Sequence, residues 1–126
     1  MTRKLYVLGA IFGLTAVILG AFGAHGLKQV LTPESIASFE TGVRYQMYHA
    51  FFAFVAAGIL KLNEKALKVV FWLLLLGVLF FSGSIYLLST SAASGVDFSG
   101  IALVTPLGGA LLIGCWAFVL VKLLKK

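Results

Sequence analysis

A chain of 126 residues that is 61% hydrophobic and 11% charged, with a mean hydropathy of +1.08, is not a water-soluble domain, since those carry about 25% charged residues. Apolar runs fill most of its length, so one compact unit fits and neither a soluble domain nor a long linker does. The net charge of +6 sits on loop and terminal Lys and Arg, which makes it an orientation signal and a headgroup contact, not a nucleic-acid surface.

A helix that crosses roughly 30 Å of hydrocarbon at about 1.5 Å per residue needs about 20 mostly apolar residues with every backbone group paired internally. The first such segment covers residues 5–24. "MTRK" followed by an apolar run and the small residues Ala21 and Gly23 imitates a signal peptide. The run exceeds the roughly 7–15 residues of a signal core, however, and the segment is expected to be retained. Gly9, Gly13, Ala16, Gly20 and Gly23 follow at steps of 4, 3, 4 and 3, which places them on one stripe where another backbone can come close. Ala110, Gly114 and Ala117 of the fourth segment, or Gly77 and Ser84 of the third, offer matching surfaces. No strand precedes these glycines and no Lys-Ser/Thr pattern follows them, so they do not form a phosphate loop.

After His25 the chain turns through a loop to "TPES". Thr32 as N-cap, Pro33 at the first helical position and Glu34 in the first turn agree as helix-start signals. Ile36, Phe39, Val43 and Met47 then recur at helical spacing, predicting an amphipathic helix along the outer interface that bends at Gly42 into a second span over residues 43–60. Glu40 and Arg44, four residues apart, are expected to pair on its surface.

The polar turn "KLNEKALK" leads to a third span at residues 67–88. The Ser- and Gly-rich loop "STSAASGVDFSG", with Asp97, is the segment expected to be most mobile and leads to a fourth span at residues 101–124. Cys115, the only cysteine, forms no intrachain disulfide and reads as a buried thiol. With both termini inside, the inner side holds Arg3, Lys4, Lys61, Lys65, Lys68, Lys122, Lys125 and Lys126, whereas Lys28 and Arg44 lie outside. The expected fold is all-α, a single membrane domain of four antiparallel spans with one short interfacial helix between the first and second.

Three blocks, "GAFGAHGLK" with "FETGVRYQMYHA", "FSGSIYLL" and "VTPLGGALLIGCW", together resemble the uncharacterised family DUF-423, also called UPF-0382, of small multi-pass bacterial membrane proteins. The resemblance covers nearly the whole chain. It implies four spans in the cell membrane and implies no activity.

The topology brings His25 and His49 to the outer side, with Arg44 and Tyr45 beside them on the second helix. Ionisable side chains within a span are functional hypotheses by default, although a neutral His that links two helices through hydrogen bonds needs no ligand. Three functions follow. The chain is a non-enzymatic structural or accessory membrane component that packs on itself or on a larger membrane protein. Alternatively, it binds a lipid or quinone-like amphiphile at His25, Arg44, Tyr45 and His49, or it is a passive transporter or channel. All four acidic residues, Glu34, Glu40, Glu64 and Asp97, fall in loops or at interfaces, which argues against proton-coupled export. No metal-ligand spacing, cofactor motif or nucleophile-base arrangement is visible, so the expected partners are membrane lipids and membrane proteins, not nucleic acid.

Overall fold

The computed structural model describes residues 1–125; Lys126, counted above among the inner basic residues, lies outside them. The described residues form helices joined by turns: α1 (Thr2–His25), α2 (Pro33–Gly58), α3 (Glu64–Ser89), a single turn α4 (Ser91–Ser94) and α5 (Val104–Leu124), with 3-10 turns at Leu27–Gln29 and Ser99–Ile101. Helix starts follow the local chemistry. Thr32 Oγ1 accepts from the Ser35 N–H at 3.2 Å with Pro33 at the first position, and Asn63 Oδ1 accepts from the Ala66 N–H at 2.8 Å. The turn between α2 and α3 passes through Lys61 in the left-handed region, at φ 55°.

Among the described residues, three stretches are long and apolar enough to cross a membrane: Thr2–Gln29, Glu64–Ser89 and Ser99–Leu124. The α2 helix is as long as α3, but Glu34, Glu40, Arg44, Gln46 and His49 place polar side chains along its N-terminal two thirds.

The separate interfacial helix is corrected by the structure. One unbroken helix runs from Pro33 to Gly58, about 39 Å at 1.5 Å per residue, and Gly42 does not interrupt it. Gly42 instead removes a side chain where α3 crosses: a Cβ there would stand 2.8 Å from Tyr86 and 3.2 Å from Ile85. The contact with α3 thus extends into the N-terminal half of α2.

Neighbouring helices are antiparallel, with α2 and α3 at the centre, α1 on α2 and α5 on α3. The α1 stripe faces α2, not α5 or α3. Gly9 lies against Ala50 and Ala53, Gly20 against Val43 and Gly23 against Phe39, while Ala16 is buried. On the other side Gly77 admits Leu112, and Gly108 of α5 rests on the backbone of Phe80 and Phe81. Leu5, Leu8, Phe12, Ala53, Val70, Leu74, Leu112 and Cys115 fill the space between. Cys115 is fully buried, as its place in the fourth segment suggested.

Gly108 and Gly83 provide a controlled comparison. A Cβ on Gly108 meets backbone, which cannot rotate away, whereas one on Gly83 meets nothing within 4 Å. Gly108→Ala is expected to destabilise by about 3 kcal/mol and Gly83→Ala to be neutral or to stabilise by up to about 1 kcal/mol. Chemical unfolding in detergent micelles measures both.

Candidate functional site

Gly42, Gln46, His49, Ala53 and Ala56 recur along α2 at steps of 4, 3, 4 and 3, and all five are buried. This seam carries two polar side chains into a mostly apolar interior, where an unpaired polar group is costly. Gln46 is the hub. Its Nε2 donates to the Phe12 carbonyl at 2.9 Å and to Thr15 Oγ1 at 2.5 Å, both on α1, and its Oε1 accepts from the Tyr86 hydroxyl of α3 at 2.6 Å. One turn away, Ser82 Oγ donates to the Gly42 carbonyl at 2.8 Å.

His49 is likewise closed. Its Nδ1 lies 2.6 Å from the Tyr45 carbonyl, and its Nε2 receives the Trp116 indole N–H at 3.1 Å. A carbonyl only accepts and an indole only donates, so the ring is the neutral form with hydrogen on Nδ1 and a lone pair on Nε2. Trp116 also packs edge-on against Phe52 at 4.3 Å between centroids. Between α3 and α5, Ser84 and Thr105 share a hydrogen bond of 2.5 Å. Buried or half-buried polar links therefore join α1 to α2, α2 to α3, α3 to α5 and α2 to α5.

The structure does not gather His25, Arg44, Tyr45 and His49 at one place. His49 lies sixteen residues beyond Pro33, about 24 Å along α2, at the level of Gly13, whose nearest neighbour across the interface is Ala50. His25 ends α1 twelve residues beyond Gly13, about 18 Å further out, and is exposed. Arg44 is also exposed and donates to Thr41 Oγ1 at 3.0 Å; among the described residues it forms no ion pair with Glu40. Tyr45 does stand over His49, with ring centroids 6.4 Å apart, and leans on Phe81 at 5.0 Å. Asp97 is far from all four in sequence. It accepts from the Ser99 N–H at 2.9 Å, and that bond holds its carboxyl below the usual carboxylate range, so the tether is kept at neutral pH and lost as pH falls through the lowered value.

Reading the sequence for charge passed over Gln46, Ser82, Trp116 and the hydroxyl of Tyr86. The signal was present in the 4-3-4-3 seam of α2, which joins Gln46 to His49 and to the small residues on either side.

Two openings flank this interior. The gap between α2 and α5, which run parallel, holds an apolar groove of about 480 Å³ reaching from Tyr48 and Trp116 to Leu60 and Leu123. The gap between α1 and α3 holds one of about 280 Å³ beside Thr15, Gln46, Gly83 and Tyr86. Among the described residues, no three or more His, Cys, Asp or Glu side chains gather where a metal ion could bind.

Comparison with known proteins places this geometry in context. The family described as "Protein of unknown function (DUF423)" matches residues 19–109. The UPF0382 membrane protein YwdK of Bacillus subtilis (strain 168) is 40% identical over 121 residues, covering 94% of each chain. A UPF0382 membrane protein of Haemophilus influenzae is 38% identical over 118 residues, covering 92% of this chain and 90% of its own. The UPF0382 inner membrane protein YgdD of Escherichia coli (strain K12) is 31% identical over 128 residues, covering 98% and 92%. No solved structure matches.

A double-mutant cycle tests the hub. Gln46→Met keeps the volume but strands the Tyr86 hydroxyl, with an expected loss of about 2 to 3 kcal/mol; Tyr86→Phe alone loses about 1 kcal/mol. In the Gln46→Met background, Tyr86→Phe is expected to cost nothing or to recover stability, because both partners are then gone. Additive losses in detergent unfolding would break the assignment.

Proposed function

The chain belongs to the DUF423 (UPF0382) family of membrane proteins, and within it we propose a non-enzymatic accessory component of the cytoplasmic membrane, a four-span bundle that acts by docking another membrane helix. The observation that carries this reading is the outer face of α5. Leu107, Ala110, Gly114, Ala117 and Val121 recur at steps of 3, 4, 3 and 4, and nothing lies within 4 Å of a Cβ built on Gly114. The small centre is flanked by exposed side chains, Leu107 at 53% and Val121 at 45%. In lipid such a surface is where a second helix comes close. The same type of surface on α1 is already used by α2.

The interior supports the reading from the other direction. His49, Gln46, Ser82 and Thr105 spend their hydrogen bonds on neighbouring side chains or on backbone, so these buried groups offer no free polar lining for a passive pore. An amphiphile bound jointly by His25, Arg44, Tyr45 and His49 has less support, because those side chains stand at different levels.

The partner helix is first taken to be a second copy. Subunit counting by single-molecule photobleaching in liposomes is expected to show dimers for the wild type and at least about a tenfold weaker association for Gly114→Ile, which blocks close approach. Wild-type monomers at every protein density would remove self-association.

A membrane crossing by α2 and the orientation of the bundle are part of the proposal. Antiparallel packing puts Arg3, Lys4, Lys61, Lys65, Lys68, Lys122 and Lys125 at one end of the bundle, which supports both termini lying in the cytoplasm. In a Cys115→Ala background, a cysteine placed at Val96 is expected to react with a membrane-impermeant maleimide from outside intact spheroplasts, and one placed at Lys61 only after lysis. The reverse pattern, or labelling of both, rejects this topology.

A further inference from the structure

The outer end of the gap between α2 and α5 holds a pocket that none of these readings uses. It is an open cleft of about 510 Å³, with Glu34 and Ser38 from α2, Leu88 and Ser89 from α3, and Thr105 and Pro106 from α5 on its walls. Ser89 is 6% exposed, and its Oγ is the buried side-chain oxygen left without a hydrogen-bond partner among the described residues. The contrast with its neighbours is informative. In the same helix Ser84 Oγ donates to the Phe80 carbonyl, and Thr90 Oγ1, at the helix end, donates to the Tyr86 carbonyl, the usual outlet for a hydroxyl in this position. Ser89 makes no such bond and lines the pocket instead.

We propose that this pocket binds a primary ammonium group presented at the outer face of the membrane. Glu34 is the only formal charge on its walls and has no ion-pair partner among the described residues. A primary ammonium carries three N–H donors, and the same cleft offers it the exposed Glu34 carboxylate and Ser38 hydroxyl together with the unpartnered Ser89 Oγ. The C-terminal pole of α3 ends at Ser89 and adds negative potential on the same wall. The positive N-terminal pole of α2 is already answered by Thr32 and by Glu34 itself. A divalent metal ion needs more than one carboxylate and a few hydroxyls, and no metal-ligating cluster is present among the described residues. An anion would face the Glu34 charge. The apolar walls, Leu88 and Pro106, suit the carbon chain that bears the amine.

Two sources carry this chemistry, an ethanolamine lipid headgroup and a free soluble amine. The test uses the full chain in nanodiscs of phosphatidylcholine containing equal small fractions of phosphatidylethanolamine and phosphatidylglycerol, with retained lipids counted by native mass spectrometry after release into detergent. The wild type is expected to retain the ethanolamine lipid at least tenfold over either of the others, because choline has no N–H donors and glycerol has no cation. Glu34→Gln and Ser89→Ala are each expected to remove that preference. Ser89→Ala is also expected to leave the melting temperature of the lipid-free protein unchanged or raised, since it deletes a buried hydroxyl that lacks a partner. Soluble ethanolamine identifies the source: displacement of the lipid and a raised melting temperature assign the site to free amines, and no effect assigns it to the headgroup. Equal retention of all three lipids together with no response to ethanolamine overturns the proposal, as does a preference that survives both substitutions. A lower melting temperature for Ser89→Ala with unchanged retention does the same, by making Ser89 a structural group.

Discussion

The amide of Gln46 is the group on which the bundle depends. Water drives no association between helices inside a bilayer, so contact, interhelical hydrogen bonds and close backbone approach must hold them. One side chain on α2 reaches α1 through Phe12 and Thr15 and α3 through Tyr86, and it uses both amide hydrogens and the carbonyl to do so. A leucine of similar size would pack at that point as well as lipid does and would choose no partner. The amide selects one register for three helices at once. The His49 bond to Trp116 then fixes the helix Gln46 does not touch, and Ser84 with Thr105 fixes it from the other side.

Glycines set how near those bonds can form. Gly9 and Gly23 let α1 settle on α2, Gly42 lets α3 cross α2 beside Tyr86, and Gly77 with Gly108 brings α5 onto α3. Five close approaches leave the central pair, α2 and α3, with one helix on each outer side. That arrangement cannot close both remaining gaps. The grooves between α2 and α5 and between α1 and α3 are the consequence; Trp116 spans the first to reach His49, and Tyr86 lines the second while its hydroxyl donates to Gln46 of α2.

The all-helical class, the basic end of the bundle, the Thr32 cap and the burial of Cys115 were legible from local signals, because each depends on residues adjacent in sequence or on composition alone. The unbroken course of α2 was not. Its apolar periodicity in the N-terminal half describes a helix that could lie on an interface, whereas the cross-helix contact of Gly42 with Tyr86 packs that half against α3. The same limit governs the candidate site. Topology placed His25 and His49 on one side, but their separation depends on the register between α1 and α2. That register is set by Gly9 against Ala50 and Gln46 against Phe12, pairings that no local pattern specifies. Charge drew attention to the histidines, whereas the uncharged Gln46 makes more of the interhelical bonds.

That saturation gives the outer pocket its meaning. Where polar side chains enter this bundle they end on a defined acceptor or donor, including the two nitrogens of His49 and both ends of the Gln46 amide. Against that background a hydroxyl such as Ser89, buried and unbonded at the end of α3 with a free carboxylate across the pocket, stands apart from the rule the rest of the molecule obeys. A small residue there would leave the protein no less stable, since an unmet hydroxyl in an apolar wall contributes nothing to folding. Packing therefore gives no reason for a serine at that position, and recognition of something outside the chain does.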